Sequence, residues 1–244
     1  MNKKVLVIIF ILVVLLVAGI VFVGGSSLFS DSKTNEDAIK FKEEYESLNG
    51  EVNTKYNKEY RTLSIPKDNP FVYKSADDIV EMIDKGETFV VYFGFNTCPW
   101  CRSVVPSLME AANDLEIEEI YYVDVKEIRD LIEVNDDGVL ETTKEGTDGY
   151  YKLINLLDGV LSDYTITDND GNNISANEKR IYAPNIIAVI NGEAKEMTSG
   201  ISDKLTDPYM ELTDEIKEDS YNQFNKVLSY VSSALNSCTD ETGC

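Results

Sequence analysis

Two short apolar runs, "TFVVYF" (88–93) and "IYYVDV" (120–125), bracket a stretch whose Val104, Leu108, Ala111, Ala112 and Leu115 fall at helical spacing. Both runs are β-branched and aromatic and too short for buried helices, so each predicts a strand covered on its two faces. Strand, helix, strand in that order predicts parallel neighbours joined by a crossover helix. The chain is therefore expected to be an α/β protein with helices against a central sheet.

Where the first strand turns into the helix stands "NTCPWCRSVVP" (96–106). A helix beginning here has Cys98 at its N-cap and Pro99 at its first position, where a missing N–H costs nothing. Unpaired backbone N–H groups and the positive end of the helix dipole then face the Cys98 sulfur and favour its thiolate. Thiolate is the form that attacks disulfides. Cys101, one turn later, faces the same side and can resolve a mixed disulfide. The spacing thus predicts a redox pair with Cys98 as nucleophile. A zinc site would need Cys238 and Cys244 as further ligands, because the chain has no histidine. A purely structural bridge across so short a loop gains little from closure.

The N-terminus predicts where this chemistry takes place. Residues 5–23, "VLVIIFILVVLLVAGIVFV", carry no charge, follow Lys3 and Lys4, and are close to the length that spans a bilayer. The expectation is an uncleaved single-pass anchor with the rest of the chain outside the cytoplasm, or else a secreted form after signal cleavage. Export puts all four cysteines where disulfides persist. The chain has 244 residues, with 44 acidic against 22 basic. A formal charge of −22 disfavours nucleic acid as a partner.

The expected organisation is a membrane segment (1–23), a flexible linker (24–35) and an N-terminal helix and loop (36–69). The main domain (70–237) then carries an insertion at 126–180, and a cysteine-containing tail (238–244) follows. Phe41, Tyr45 and Leu48 give the first helix its apolar side, and Asn49-Gly50 stops it. "FVY" (71–73) reads as a strand, and Ser75 caps a helix running to Gly86. Within the insertion, helices are expected near Glu127–Glu133 and Tyr150–Leu161. "YTITDNDGNNIS" predicts a hairpin turning at Asp170-Gly171 rather than a calcium loop, since Ile166 and Asn177 would occupy the first and last ligand positions. "NIIAVINGE" (185–193) predicts a strand and a turn at Asn191-Gly192. A long amphipathic helix with Ile216, Tyr221, Phe224, Val227, Leu228 and Val231 inward closes the chain.

These features resemble the thioredoxin superfamily. Its pattern of strand, C-x-x-C at a helix start, a proline five residues on and a later cis-proline is matched by Cys98, Cys101, Pro106 and "YAPNIIAVINGE". The resemblance covers about 70–125 and 180–236, and Gly200 matches a glycine late in the last strand. It implies a thioredoxin fold with a helical insertion, a cis Ala183-Pro184 bond beside the attacking sulfur, and thiol–disulfide exchange without a bound cofactor. Substrate would be held by Ala183 and Pro184; Trp100, at the second position of the C-x-x-C helix, is expected to face outward and contact substrate, the other reading being a core-packing ring. The implied partners are cysteine-containing secreted or surface proteins and a membrane redox partner. The layout is similar to anchored thioredoxin-like proteins of Gram-positive bacteria, some of them named bacteriocin transport accessory proteins. That similarity leaves open an accessory or chaperone module for secretion in which redox activity is secondary.

Departures from cytosolic thioredoxin are Tyr92, where that family keeps a buried aspartate, and Pro-Trp between the cysteines. Arg102 either supports the thiolate or is a plain surface arginine. Cys238 and Cys244 are expected to bond each other and staple the last helix; the other readings are a second redox pair serving Cys98–Cys101, or bonds to other chains.

Overall fold

The computed structural model describes residues 36–135, 137–168 and 170–240. The expected membrane segment, the linker and Cys244 lie outside these residues, as does any Cys238–Cys244 bond. Among the described residues no helix is long and apolar enough to cross a membrane.

Helix α1 (Glu36–Glu46) buries Phe41 and Tyr45, and Gly50 turns the chain away at φ +81°. The polar stretch after it is mostly loop, with a two-residue pairing of β1 (Val52–Asn53) and β2 (Lys58–Glu59). Strand β3 (Phe71–Tyr73) leads to α2 (Ala76–Asp84). Ser75 caps α2 in a reciprocal capping box, its side chain accepting from the Asp78 N–H while the Asp78 carboxylate accepts from the Ser75 N–H. Strand β4 (Phe89–Gly94), α3 (Pro99–Asp114) and β5 (Ile120–Asp124) follow, and β4 pairs with β5 in parallel. Four strands and one helix come next: β6 (Leu131–Val134), β7 (Leu140–Lys144), α4 (Asp148–Leu157), β8 (Ser162–Thr167) and β9 (Asn173–Arg180). Strand β10 (Asn185–Ile190), β11 (Glu193–Thr198) and α5 (Asp214–Asp240) complete the chain.

The central sheet is mixed, five-stranded and ordered β11-β10-β4-β5-β3, with β10 antiparallel to both β4 and β11. Its core splits by the two-residue period of the strands. Val90 and Tyr92 of β4, with Ile186 and Ala188 of β10, meet α1, α3 and α5 on one face. Phe89, Val91 and Phe93, with Ile187 and Val189, meet α2 and α4 on the other. Every residue of β4 is buried, as a strand covered on both sides requires.

The insertion departs from expectation. Residues 127–133 do not form a helix, so the segment is two antiparallel hairpins around one helix. Leu131 and Glu133 face outward while Ile132 and Val134 are half-buried, a period of two. Asn135 then closes a turn, its side-chain oxygen accepting the N–H groups of Asp137 and Val139, with Gly138 at φ +78°. The hairpin expected at Asp170-Gly171 is present, and Asp168 caps its loop by accepting from the Asp170 and Asn172 N–H groups. Gly200 lies just past β11 rather than inside a strand, at φ +67° and close against the Phe224 ring.

Candidate redox site

The sheet itself assembles the site. Strand β10 runs antiparallel to β4 with Asn185 opposite Phe93, so the start of β10 lies beside the end of β4. Residues leaving β4 reach Cys98, and residues entering β10 include Ala183-Pro184, whose peptide bond is cis. The side-chain oxygen of buried Asn185 accepts from the Tyr182 N–H at 2.7 Å and fixes that entry. Cys98 Sγ consequently sits 3.3 Å from the Ala183 carbonyl oxygen, to which its thiol donates. Two residues 85 positions apart are thus brought together by strand pairing.

Cys98 is the N-cap of α3, with extended backbone and Pro99 at the first helical position. Its sulfur accepts the Cys101 N–H at 3.3 Å. The two thiols are free, and their burial separates their roles. Cys98 is 4% exposed, whereas Cys101 is 0% exposed. Cys98 opens onto a cavity of about 430 Å³, and Cys101 does not line it. Burial opposes ionisation of Cys98, yet a hydrogen bond from the Cys101 thiol, the N–H groups of Cys101 and Trp100, and the Arg129 guanidinium together hold its thiol below the ordinary value. Cys101 is pushed well above it, first by burial and then by Cys98. The two thiols therefore differ: Cys98 is the more readily ionised, and Cys101 is held protonated.

Tyr92 stands behind Cys101. It is fully buried, hydrogen-bonds the Cys101 sulfur, and lies 3.3 Å from the Tyr45 hydroxyl, oxygen to oxygen. Burial, then Cys101 and Tyr122, keep the Tyr92 hydroxyl well above its ordinary pKa, so it is neutral at physiological pH. It can donate to a Cys101 thiolate but is no base.

Trp100 is half-buried and lines the cavity with Cys98, Pro99 and Ala183. Arg102 fits neither expectation. It is 0% exposed and points away from the sulfurs, donating to the carbonyls of Tyr45 (2.7 Å) and Arg61 (2.6 and 3.0 Å) and to the Asn49 side-chain oxygen (3.0 Å). It ties α3 to the N-terminal helix and loop. The cation that acts on Cys98 is Arg129, from the segment after β5, which the sequence reading missed. Its one signal was that the chain has only four arginines. Cys238 lies in α5 beyond Ser232, whose hydroxyl donates to the Leu115 carbonyl at the far end of α3 from Cys98. The backbone at Cys238 thus lies beyond the far end of α3 from Cys98 and Cys101.

No family model matches the chain, and no curated protein matches it. Among the described residues no group of three or more potential metal-ligating side chains comes together.

Proposed function

We propose that the chain is a thiol–disulfide oxidoreductase of the thioredoxin type, held outside the cytoplasm by its N-terminal apolar segment. The observation that carries the reading is the placement of Cys98 at the start of α3, its thiol held low, 3.3 Å from the carbonyl before a cis-proline. The strand order and helices on both sheet faces support the thioredoxin fold.

In the reducing direction the Cys98 thiolate attacks one sulfur of a substrate disulfide. A Cys98–substrate S–S bond forms, the substrate's own S–S bond breaks, and the departing sulfur leaves as thiolate. Once Cys98 has ionised, the Ala183 carbonyl loses its thiol donor and is left to accept an N–H from the substrate chain. Cys101 gives its proton to the released substrate thiolate, Tyr92 donates to the resulting Cys101 thiolate, and that thiolate then attacks Cys98. The Cys98–Cys101 disulfide forms, the second substrate thiolate departs, and two electrons have passed from protein to substrate. In the oxidising direction the same steps run backward, taking two electrons from a substrate dithiol. A membrane partner resets the pair, and cysteine-containing secreted or surface proteins are the clients. The chemistry uses the two sulfurs alone and no bound cofactor.

Turnover of a model disulfide with dithiothreitol as reductant tests this. The wild-type chain is expected to be active, Cys98→Ser inactive, and Cys101→Ser to accumulate a mixed disulfide at Cys98. Undiminished turnover by Cys98→Ser would remove the proposed nucleophile.

A further inference from the structure

The cavity at Cys98 has a charge unlike that of the chain around it. Its charged lining residues are Lys55, Lys126 and Arg129, and among the described residues no carboxylate lines it. In a chain with twice as many acids as bases, three charged residues at one place are expected to be mostly acidic. Among the described residues none of the three cations is locked in an ion pair, although eleven such pairs occur elsewhere in the fold. The Asp124 carboxylate acts on Lys126 through space. Arg61, Arg102 and Arg180 each have their guanidinium hydrogen-bonded to protein. Among the described residues the Arg129 guanidinium has no such bond and rests over the Phe95 ring, 5.1 Å from its centroid. Burial and the nearby charge of Arg180 lower its pKa, and the Cys98 thiolate is among the few groups that favour its charge.

The cations arrive from two sides. Lys55 belongs to the β1–β2 hairpin, and Lys126 and Arg129 to the turn after β5. Both segments lie outside the stretch that resembles thioredoxin, so this lining is the chain's own addition to the redox pair. Aromatic side chains fill the space between: Tyr56, Tyr60, Trp100 and Tyr182, with Tyr56 51% exposed. Flat rings offer contact area at low entropic cost, and the Ala183 carbonyl offers a main-chain acceptor beside the sulfur.

We propose that this cavity receives an extended peptide segment with acidic side chains flanking its cysteine. The inference rests on the oxidoreductase reading for its cysteine and on the cavity lining for its acidity. An Asp or Glu beside the reacting sulfur meets Arg129 from one wall, and a second one meets Lys55 or Lys126. The large negative charge of the rest of the chain acts from farther away, and beyond about 8 Å at physiological salt it is largely screened. The local cations therefore govern selection.

Trp100 is the chain's only tryptophan, so its fluorescence reports on this cavity and no other place. The full-length protein in non-ionic detergent is titrated with three nonapeptides that carry serine in place of cysteine. They are identical except that the flanking residues are Asp and Glu, Asn and Gln, or Lys. The acidic peptide is expected to bind about tenfold more tightly than the neutral one, and the lysine peptide more weakly than either. The Lys55→Gln/Lys126→Gln double variant, altered at exposed positions, is expected to lose most of that preference while its circular dichroism stays unchanged. Equal affinity for the three peptides, a preference for lysine, or no saturable response to the acidic peptide overturns the proposal. So does an acidic preference that survives in the double variant. In the same preparation, reduction of uncharged 2-hydroxyethyl disulfide reports on the oxidoreductase reading alone; its failure leaves the fluorescence result to decide the cavity's selectivity.

Discussion

Replacing Arg102 by methionine keeps much of the buried stem and removes the guanidinium that joins α3 to the N-terminal helix and loop. The side chain is 0% exposed and makes four hydrogen bonds at 2.6–3.0 Å to three acceptors, none of them a carboxylate. Hydrogen bonds from a charged donor contribute about 1.5–3 kcal/mol each. Those contributions do not simply add, because the substitution also removes the desolvation cost of the guanidinium, which already holds its pKa below the ordinary value. The Asn49 oxygen keeps the Leu63 N–H at 2.9 Å, whereas the Tyr45 and Arg61 carbonyls lose their side-chain donor. The net loss expected for Arg102→Met is about 2–6 kcal/mol, from two carbonyls that lose this donor at about 1–3 kcal/mol each. With a urea slope of about 2 kcal/mol/M, that moves the unfolding midpoint down by about 1–3 M. Urea unfolding of a fragment beginning at Asn35, followed by circular dichroism, measures it. A loss below about 1 kcal/mol, less than a single charged hydrogen bond supplies, would mean that the N-terminal helix and loop stay docked without Arg102, and the reasoning would be refuted.

Three further variants probe the site and its support. Tyr92→Phe removes the hydroxyl that bonds the Cys101 sulfur and faces Tyr45, so Cys101 is expected to titrate still higher and the mixed disulfide at Cys98 to live longer, with about 1 kcal/mol lost in stability; an unchanged lifetime in rapid-quench trapping would exclude the role. Arg129→Gln removes a cation beside Cys98 and should raise its pKa. Because that folded-state pKa is lowered, reduced protein is stabilised above the ordinary thiol pKa and loses this stability as pH falls through the folded value; melting curves against pH should show the effect shrink in Arg129→Gln. Gly200→Ala places a Cβ 1.8 Å from Phe224 Cζ at φ +67° and is expected to cost at least about 2 kcal/mol in thermal unfolding.

What the sequence made legible was local in origin. Cys98, Pro99 and Cys101 announce a helix start by chemistry confined to four neighbouring residues, and the apolar strand runs announce a sheet covered on both faces. Ala183-Pro184 was legible only through a family resemblance, since nothing near it in sequence points to Cys98. Arg102 was not legible at all. Its neighbour Cys101 suggested a thiolate partner, but a helix sends adjacent side chains about 100° apart, and this one points into the N-terminal helix and loop. The thiolate's actual cation, Arg129, reaches the site only because the chain turns after β5. The helix expected at 127–133 failed because Leu131–Val134 is apolar enough for either structure, and the Asn135–Gly138 turn settled it as a hairpin. Asp130, just before β6, is buried in an ion pair with Arg180 at 2.7 Å, a contact across fifty residues that no local pattern encodes.

The central claim is that one sulfur, Cys98, is the more readily ionised and the reachable one, while the other stays protonated behind it. Iodoacetamide labelling of the reduced protein across a pH series, read by peptide mass spectrometry, tests it most directly. The account predicts modification of Cys98 alone, with a pH midpoint below that of an ordinary thiol, and labelling of Cys101 only after unfolding. Preferential labelling of Cys101 in the folded protein, or a Cys98 midpoint at or above the ordinary value, would contradict it.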